Sequence, residues 1–369
     1  VNDGPAVEGA AESWAAPGEG AEARRPAKPT INDVAARAGV SKATVSKFLN
    51  VSLGYSVAPK TRARIEDAIR ELDYHPSPIA RSLTSGSSMT IGLVIADIMN
   101  PFFPDLVASL QSVVETRGYN LILGSSGRDG DREVEIIRSL IQRRVDGLIL
   151  ASVQGGSAEL EFIEELGVPT VLASRDLPEL LWDTVVIDNV QGAEIAVKHL
   201  RDLGHTRIGY VASNQSVKPF HDRLRGFEAA TADLPDAVSV TVGSMMEDGR
   251  LGTHELLART PRPTALHYAN DVMALGGLVA CAELALSVPW DVSIIGHDNI
   301  SAGSLPGIGL TTVDSAAAWV GERAGELLLH RIGGPAAHGG PPQLVVRPAK
   351  LILRSSTAPP AEARGAAHA

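Results

Sequence analysis

Two sets of residues in this chain have types and spacings suited to recognition. In the first, Ser41, Lys42, Ala43, Ser46 and Lys47 fall on the outer face of a short predicted helix, Lys42–Leu49. Polar and basic side chains at the N-terminal end of such a helix reach base edges in the major groove of DNA. In the second, Asp97, Phe102, Phe103, Asn270, Asp271 and Asp298 follow predicted strands, and Arg223 lies on a helix after one. Ligands of open α/β sheets sit beyond the strand C-termini, so these side chains can converge on one cleft. Carboxylate, amide and guanidinium groups bind hydroxyls bidentately, and a phenyl ring stacks on a sugar's C–H face or on a base. Together they suit a sugar or glycoside, with a nucleobase as the alternative. Structural roles compete: Phe102 and Phe103 as core, Asp271 as a helix cap, Arg223 with Asp298 as an ion pair.

The chemistry of turnover is not signalled. No GxGxxG follows a predicted strand, and no GxxxxGK[ST] loop occurs. No His/Asp/Glu cluster has metal spacing, and no nucleophile accompanies Asp271 and Asp298. A single cysteine, Cys281, excludes an internal disulfide and a cysteine-based zinc site. The expectation is therefore a binding protein that is not an enzyme and needs no cofactor. No apolar run reaches the ~18 residues of a membrane span, and the N-terminal residues do not read as a secretory signal. A cytoplasmic protein without membrane contact is expected. The formal net charge is −10, which argues against nucleic acid until its distribution is read. Lys28–Ser88 carries nine Lys/Arg against five Asp/Glu, a local +4, leaving −14 on the rest. A basic module on an acidic body fits DNA binding by one end.

The elements that position these residues follow from spacing. Thr30 caps a helix whose stripe is Ile31, Val34, Ala35 and Ala38. Gly39 ends it, and Ser41 caps the next helix. A third runs from about Pro59 to Asp73. Ala35 is small where two helices cross, and Val40 and Val45 pack one on the other. An ordinary helical hairpin with solvated lysines is the bland reading of any one of these features. From Met89 the pattern changes to strands alternating with helices: strands at 91–96, 120–123, 147–150 and 170–173, then, restarting after Asp188, at 208–211, 238–242, 264–267 and 292–295. That alternation predicts parallel sheets with helices on both faces, in two lobes. The expected organisation is a disordered extension at 1–27, a helix-turn-helix at 28–75, a hinge at 76–88, a two-lobed α/β domain at 89–354 and a disordered tail at 355–369.

The string from Thr30 to Asn50, TINDVAARAGVSKATVSKFLN, closely resembles the DNA-binding end of the lactose-repressor (LacI) family of bacterial regulators. The resemblance continues through YSVAPKTR at Tyr55–Arg62 and LDYHPSPIARSL at Leu72–Leu83. It reaches IGLVIAD at Ile91–Asp97, NPFF at Asn100–Phe103, RLRGF at Arg223–Phe227, NDVMALG at Asn270–Gly276 and IGHD at Ile295–Asp298. It implies a multidomain fold: a small all-α helix-turn-helix domain plus a two-lobed, periplasmic-binding-protein-like α/β domain. It also implies a homodimer, or a higher assembly, on a pseudo-palindromic double-stranded DNA operator, with a small-molecule effector controlling affinity.

The DNA-contacting set it implies is Thr30, Ser41, Lys42, Ala43, Thr44, Ser46, Lys47, Asn50, Tyr55, Arg81 and Leu83. Lys42, Ala43 and Lys47 occupy the family's main base-reading positions, and Leu83 matches a hinge leucine that wedges between base pairs. Lys60, Arg62 and Arg81 are expected on phosphates. The implied effector contacts are Asp97, Phe102, Phe103, Ser174, Arg223, Asn270, Asp271 and Asp298. The chain departs from the family pattern in three places. Pro78 replaces a usual helix former in the hinge. Ser174 stands where some members have an acid, followed by Arg175 and Asp176. Met245 or Met246 lies near where others have an aromatic.

Overall fold

The computed structural model describes residues 29–49, 57–75, 87–152, 162–177, 180–333 and 340–362. Asn50, Tyr55, Arg81 and Leu83, most of the expected hinge, the expected extension at 1–27 and residues 363–369 lie outside them. The chain forms two compact units, residues 1–84 and 85–369. Among the described residues no helix is long and apolar enough to cross a membrane.

The first unit holds helices α1 (Ile31–Ala38), α2 (Lys42–Leu49) and α3 (Pro59–Glu71). Thr30 and Asp33 form a reciprocal capping box at the start of α1. Gly39 follows with φ +63°, a left-handed turn that a residue without Cβ adopts at little cost. The Gly39 carbonyl accepts a hydrogen bond from Arg64 Nη2 at 2.9 Å, which ties the turn to α3. Ser41 Oγ accepts from the Thr44 amide at 3.2 Å and so caps α2. Pro59 opens α3, where its missing N–H costs nothing. Val34, Ala35, Ala38, Val45, Ile65 and Ala68 close the small core.

The second unit contains two six-stranded sheets. The first lobe's sheet has the order β11–β5–β4–β3–β1–β2, from β1 (Thr90–Ile95), β2 (Asn120–Ser125), β3 (Gly147–Ala151), β4 (Thr170–Ala173), β5 (Asp183–Ile187) and β11 (Leu344–Arg347). The second has β12–β10–β9–β8–β6–β7, from β6 (Ile208–Ser213), β7 (Val238–Val242), β8 (Ala265–Tyr268), β9 (Ser293–Asp298), β10 (Thr311–Asp314) and β12 (Lys350–Ile352). All pairings are parallel except β10 with β12. The continuous apolar run of β1 follows from covering both faces. Ile91, Leu93 and Ile95 pack into one core with α4 (Phe102–Glu115), whereas Val94 packs with Ile137 and Leu140 of α5 (Gly130–Gln142).

Two sheets in simple series is only half of the arrangement. The chain enters the second lobe between Ile187 and Asn189, where α6 (Asn189–Asp202) begins. It continues through α7 (Lys218–Ala230), α8 (Met246–Leu257) and α9 (Asp271–Glu283). It then returns through α10 (Ala317–Gly333) and β11 to complete the first lobe, and crosses again into β12. The two lobes are thus joined at three places.

The expected disordered tail from 355 is corrected over its first residues. Ser356 Oγ donates to the Ile294 carbonyl at 2.6 Å and accepts from the Thr311 amide at 2.8 Å. The Ala358 amide donates to Ser293 Oγ at 3.0 Å, and Ser356 and Ala358 are buried. A segment of Ser, Thr, Ala and Pro reads as disorder by composition. Here its backbone groups find partners on β9 and the residues beside it.

Candidate functional site

In the first unit, α2 carries the expected DNA-facing side chains. Val45 points inward, and Ser41, Lys42, Ala43 and Lys47 are exposed, with Thr44 and Ser46 half-buried. Not all of these groups are equally available. The Ser41 and Thr44 hydroxyls lie 2.9 Å apart and serve the helix N-terminus. Thr30 Oγ1 donates to Asp33 Oδ2 at 2.7 Å, and Thr30's bonds hold the Asp33 carboxyl below its usual range. Thr30, Ser41 and Thr44 therefore set the helices in place, while Lys42, Ala43 and Lys47 stand exposed on the outer face of α2. Arg62 stacks over Phe48 at 5.4 Å, which fixes a cation beside the end of α2.

In the second unit, a cleft lies between the C-terminal ends of the two sheets. Asp97, Asn100, Phe103, Arg128 and Arg175 line it from the first lobe, and Gln215, Phe220, Ser244, Met245 and Asn270 from the second. Arg128 spans the gap. It pairs with Asp97 within its own lobe and donates from Nη1 to Ser244 Oγ of the other at 3.1 Å. Ser244 Oγ also accepts from Gln215 Nε2 at 2.8 Å. The enclosed space is only about 40 Å³, against roughly 300 Å³ or more for an ordinary ligand pocket. The lobes stand closed on each other.

The sequence-picked residues divide into three groups. Asp97, Phe103 and Asn270 line the cleft. Asn270 also caps α9, its Oδ1 accepting from the Met273 amide at 2.7 Å and its Nδ2 donating to the Ser244 carbonyl at 3.1 Å. Arg223 and Asp298 form a buried layer behind that wall. Arg223 donates to Asn189 Oδ1 at 2.9 Å, to the Ala269 carbonyl at 2.5 Å and to Asp298 Oδ1 at 3.1 Å. Ser315 Oγ donates to the same Asp298 oxygen at 2.9 Å. Asn189 and Ser315 sit at two of the three inter-lobe crossings, so this ion pair knits the joint between the lobes.

Phe102, Ser174 and Asp271 are not brought to the cleft. Phe102 packs into the first-lobe core, edge-on to Phe103 with ring centroids 5.2 Å apart. Ser174, at φ +57°, donates its amide to the Val185 carbonyl at 2.8 Å, and the next residue, Arg175, lines the wall instead. Asp271 is turned into the second lobe, where it accepts from the Ile300 amide at 2.8 Å and Thr312 Oγ1 at 2.5 Å. Burial and the nearby Asp298 push its carboxyl up to about 7. The cap is Asn270, and Asp271 is a buried brace.

Arg128, Arg175, Gln215, Phe220 and Ser244 were missed in the sequence. The signal for the two arginines was present: each is a cation two or three residues past a strand end, β4 for Arg175 and β2 for Arg128. Burial, then the nearby Arg223 charge, lowers the Arg175 guanidinium to about 10, which leaves it charged at neutral pH. Among the described residues no cluster of three or more His, Cys, Asp or Glu side chains is arranged to hold a metal.

Residues 30–77 match the family described as bacterial regulatory proteins, lacI family, and residues 197–357 match the periplasmic binding protein-like domain. The ribose operon repressor of Escherichia coli is 35% identical over 311 residues, covering 83% of this chain and 94% of that protein. A transcriptional regulator CelR–cellobiose complex is 29% identical with a TM-score of 0.66, covering 89% of this chain and 99% of that one. The Lac repressor dimer bound to operator and the anti-inducer ONPF is 27% identical with a TM-score of 0.78, over the same shares. A helix-turn-helix followed by a two-lobed domain of this topology, matched along nearly the whole length of such relatives, makes this chain a member of the lacI family of bacterial transcriptional regulators.

Proposed function

We propose that the chain is a repressor that binds a pseudo-palindromic operator as a homodimer and changes its operator affinity when a small polyhydroxylated effector, a sugar in the first instance, occupies the inter-lobe cleft. It acts in the cytoplasm, where it meets DNA, and it turns nothing over. Lys42, Ala43 and Lys47 read bases; Asn50, Tyr55, Arg81 and Leu83 join them by family resemblance. Two-fold protein symmetry calls for a palindromic site. The Lac repressor dimer on its operator supports this arrangement, and the cellobiose complex of CelR supports a sugar.

The observation that carries the effector reading is the Arg128–Ser244 bond across the cleft. A ligand that replaces it interacts differently with open and closed lobes. Differential affinity for two arrangements is what remote control of DNA binding requires. Selection of bound duplexes from a random library, at roughly 150 mM salt because affinity is salt-dependent, tests the reading. A palindrome with a flexible central step is expected. Enrichment of no sequence, with or without a mixture of sugars and purines, would overturn it.

A further inference from the structure

Helix α7 begins in a way that its own sequence does not favour. Its first residue is Lys218, a cation at the end where the helix dipole is positive. Val217 provides no side-chain cap, and the first turn holds no acid. The charge of Lys218 is used elsewhere. Its Nζ donates to Asp222 Oδ2, one turn on, at 2.6 Å, and lies 2.7 Å from Asp176 Oδ2, which follows β4 in the other lobe. Asp222 is held from its far side by Arg225 Nη2 at 3.0 Å. Arg225, Asp222, Lys218 and Asp176 thus form a run of alternating charge along α7 that ends in the first lobe. Asp176 also acts through space on its neighbour Arg175. Neither Asp176 nor Lys218 lines the effector cleft, although Gln215 and Phe220, on either side of Lys218, do. An isolated surface pair contributes little. Here the Asp222 and Asp176 side chains are only 12% and 21% exposed, so water and salt screen them less, and the helix holds two of the pairs in place beforehand.

We propose that this run of charges is a clasp by which the protein draws its own lobes together, beside the effector cleft and independently of what occupies it. Arg225 and Asp222 orient Lys218, and Lys218 with Asp176 makes the closure. Arg128 reaches Ser244 on the other flank, from beyond β2, and β1 and β3 lie between β2 and β4 in the sheet. Attachments on two flanks restrain both opening and twisting. The resting balance of open and closed lobes is then a property of the chain, sensitive to ionic strength, and an effector acts on that balance. The clasp itself stands apart from the effector reading above; only its consequence for operator affinity rests on it.

Spin-label distances between the lobes of the full chain test it. Labels on Ser139→Cys and Glu228→Cys sit at exposed positions of α5 and α7, the native Cys281 is buried, and excess unlabelled chain suppresses distances between protomers. With no small molecule added and at about 0.05 M salt, one short distance is expected. Lys218→Met and Asp176→Asn should each add a longer one, raising the open-to-closed ratio roughly two- to fivefold, the worth of one such ion pair. The double variant should open no further than either single one, and Lys218→Arg should stay closed. Raising salt to about 1 M should open the unsubstituted protein and move the double variant less; this arm needs no substitution to fold. A long distance in the unsubstituted protein, identical distances in all variants, or additive opening in the double variant would each overturn the clasp. Operator binding measured on the same samples keeps the two readings apart. If Lys218→Met opens the lobes and operator affinity does not move, the clasp stands and control through the lobes fails. If the distances do not move but a mixture of sugars and purines still shifts operator affinity, effector control stands and the clasp fails.

Discussion

Arg223 and Asp298 are 3.1 Å apart and both are nearly inaccessible to water. Burial holds the Asp298 carboxyl above its ordinary range even though the Arg223 charge opposes it. Such a pair contributes little net stability when intact, yet breaking it strands a buried charge. Asp298→Ala should therefore cost about 3–5 kcal/mol of folding stability, read as a lower urea midpoint. An unchanged midpoint would mean that Arg223 is solvated in the fold. The variant is consequently a poor probe of effector contact, whereas Asp97 and Asn270, on the wall itself, are better ones. On the DNA side the residues are exposed and separable. Lys42→Ala should cost about 1–3 kcal/mol at the base pair it reads and relax selectivity there, whereas Lys60→Ala should weaken all sequences evenly. Binding-site selection with each variant distinguishes the two; uniform weakening by Lys42→Ala would reassign Lys42 to a phosphate.

At the scale of elements, α8 and α9 touch backbone to backbone. A Cβ at Gly276 would lie 1.8 Å from the Met246 carbonyl oxygen, and one at Gly249 would lie 2.1 Å from that of Met273. Neither neighbour is a flexible side-chain end that could swing away. Gly276→Ala ought to stabilise an isolated helix by about 1 kcal/mol. In this fold it should instead destabilise by roughly 1–3 kcal/mol, because the two helices must separate. Met245 and Ser244 lie at the start of α8, so the same displacement would disturb the cleft wall. A melting temperature equal to or above that of the unsubstituted protein would show that the helices can part at no cost.

At the scale of the whole molecule, the second lobe has a pH dependence built into its core. His267 and His297 are fully buried, their ring centroids 6.3 Å apart, and neither ring nitrogen of either one has a protein partner. Burial, then the nearby Arg223 charge, lowers His267 to about 3 and moves His297 the same way. A histidine whose folded value is depressed binds protons more readily in the unfolded chain. Its contribution to stability is complete above about pH 6.5 and is lost as pH falls below that, about 2 kcal/mol per histidine by pH 5. Asp271, pushed up to about 7, acts in the opposite sense and favours the fold as pH drops from 7 toward the ordinary carboxylate range. Replacing one histidine separates the two contributions. The stability advantage of His267→Leu over the unsubstituted protein should grow by about 2 kcal/mol between pH 7.5 and pH 5. Parallel pH profiles for the two proteins would show that His267 is not held neutral by the fold.

The sequence by itself determined what depends on neighbours along the chain. The Thr30 cap, the Gly39 turn, the Ser41 cap and the inward Val34, Ala35 and Val45 are set by residues within a few positions of one another, and so was the outward face of α2. Strand–helix alternation likewise revealed two parallel sheets, because helices that cover both faces demand apolar runs such as Ile91–Ile95. Only the tertiary structure decided which side chains meet across the cleft. Arg128 and Ser244 lie 116 positions apart, and of two adjacent polar residues past one strand end Asn270 lines the cleft while Asp271 turns to partners at Ile300 and Thr312, 29 and 41 positions away. The return of α10 and β11 to the first lobe was equally hidden, since an amphipathic helix does not declare which of two similar sheets it will cover.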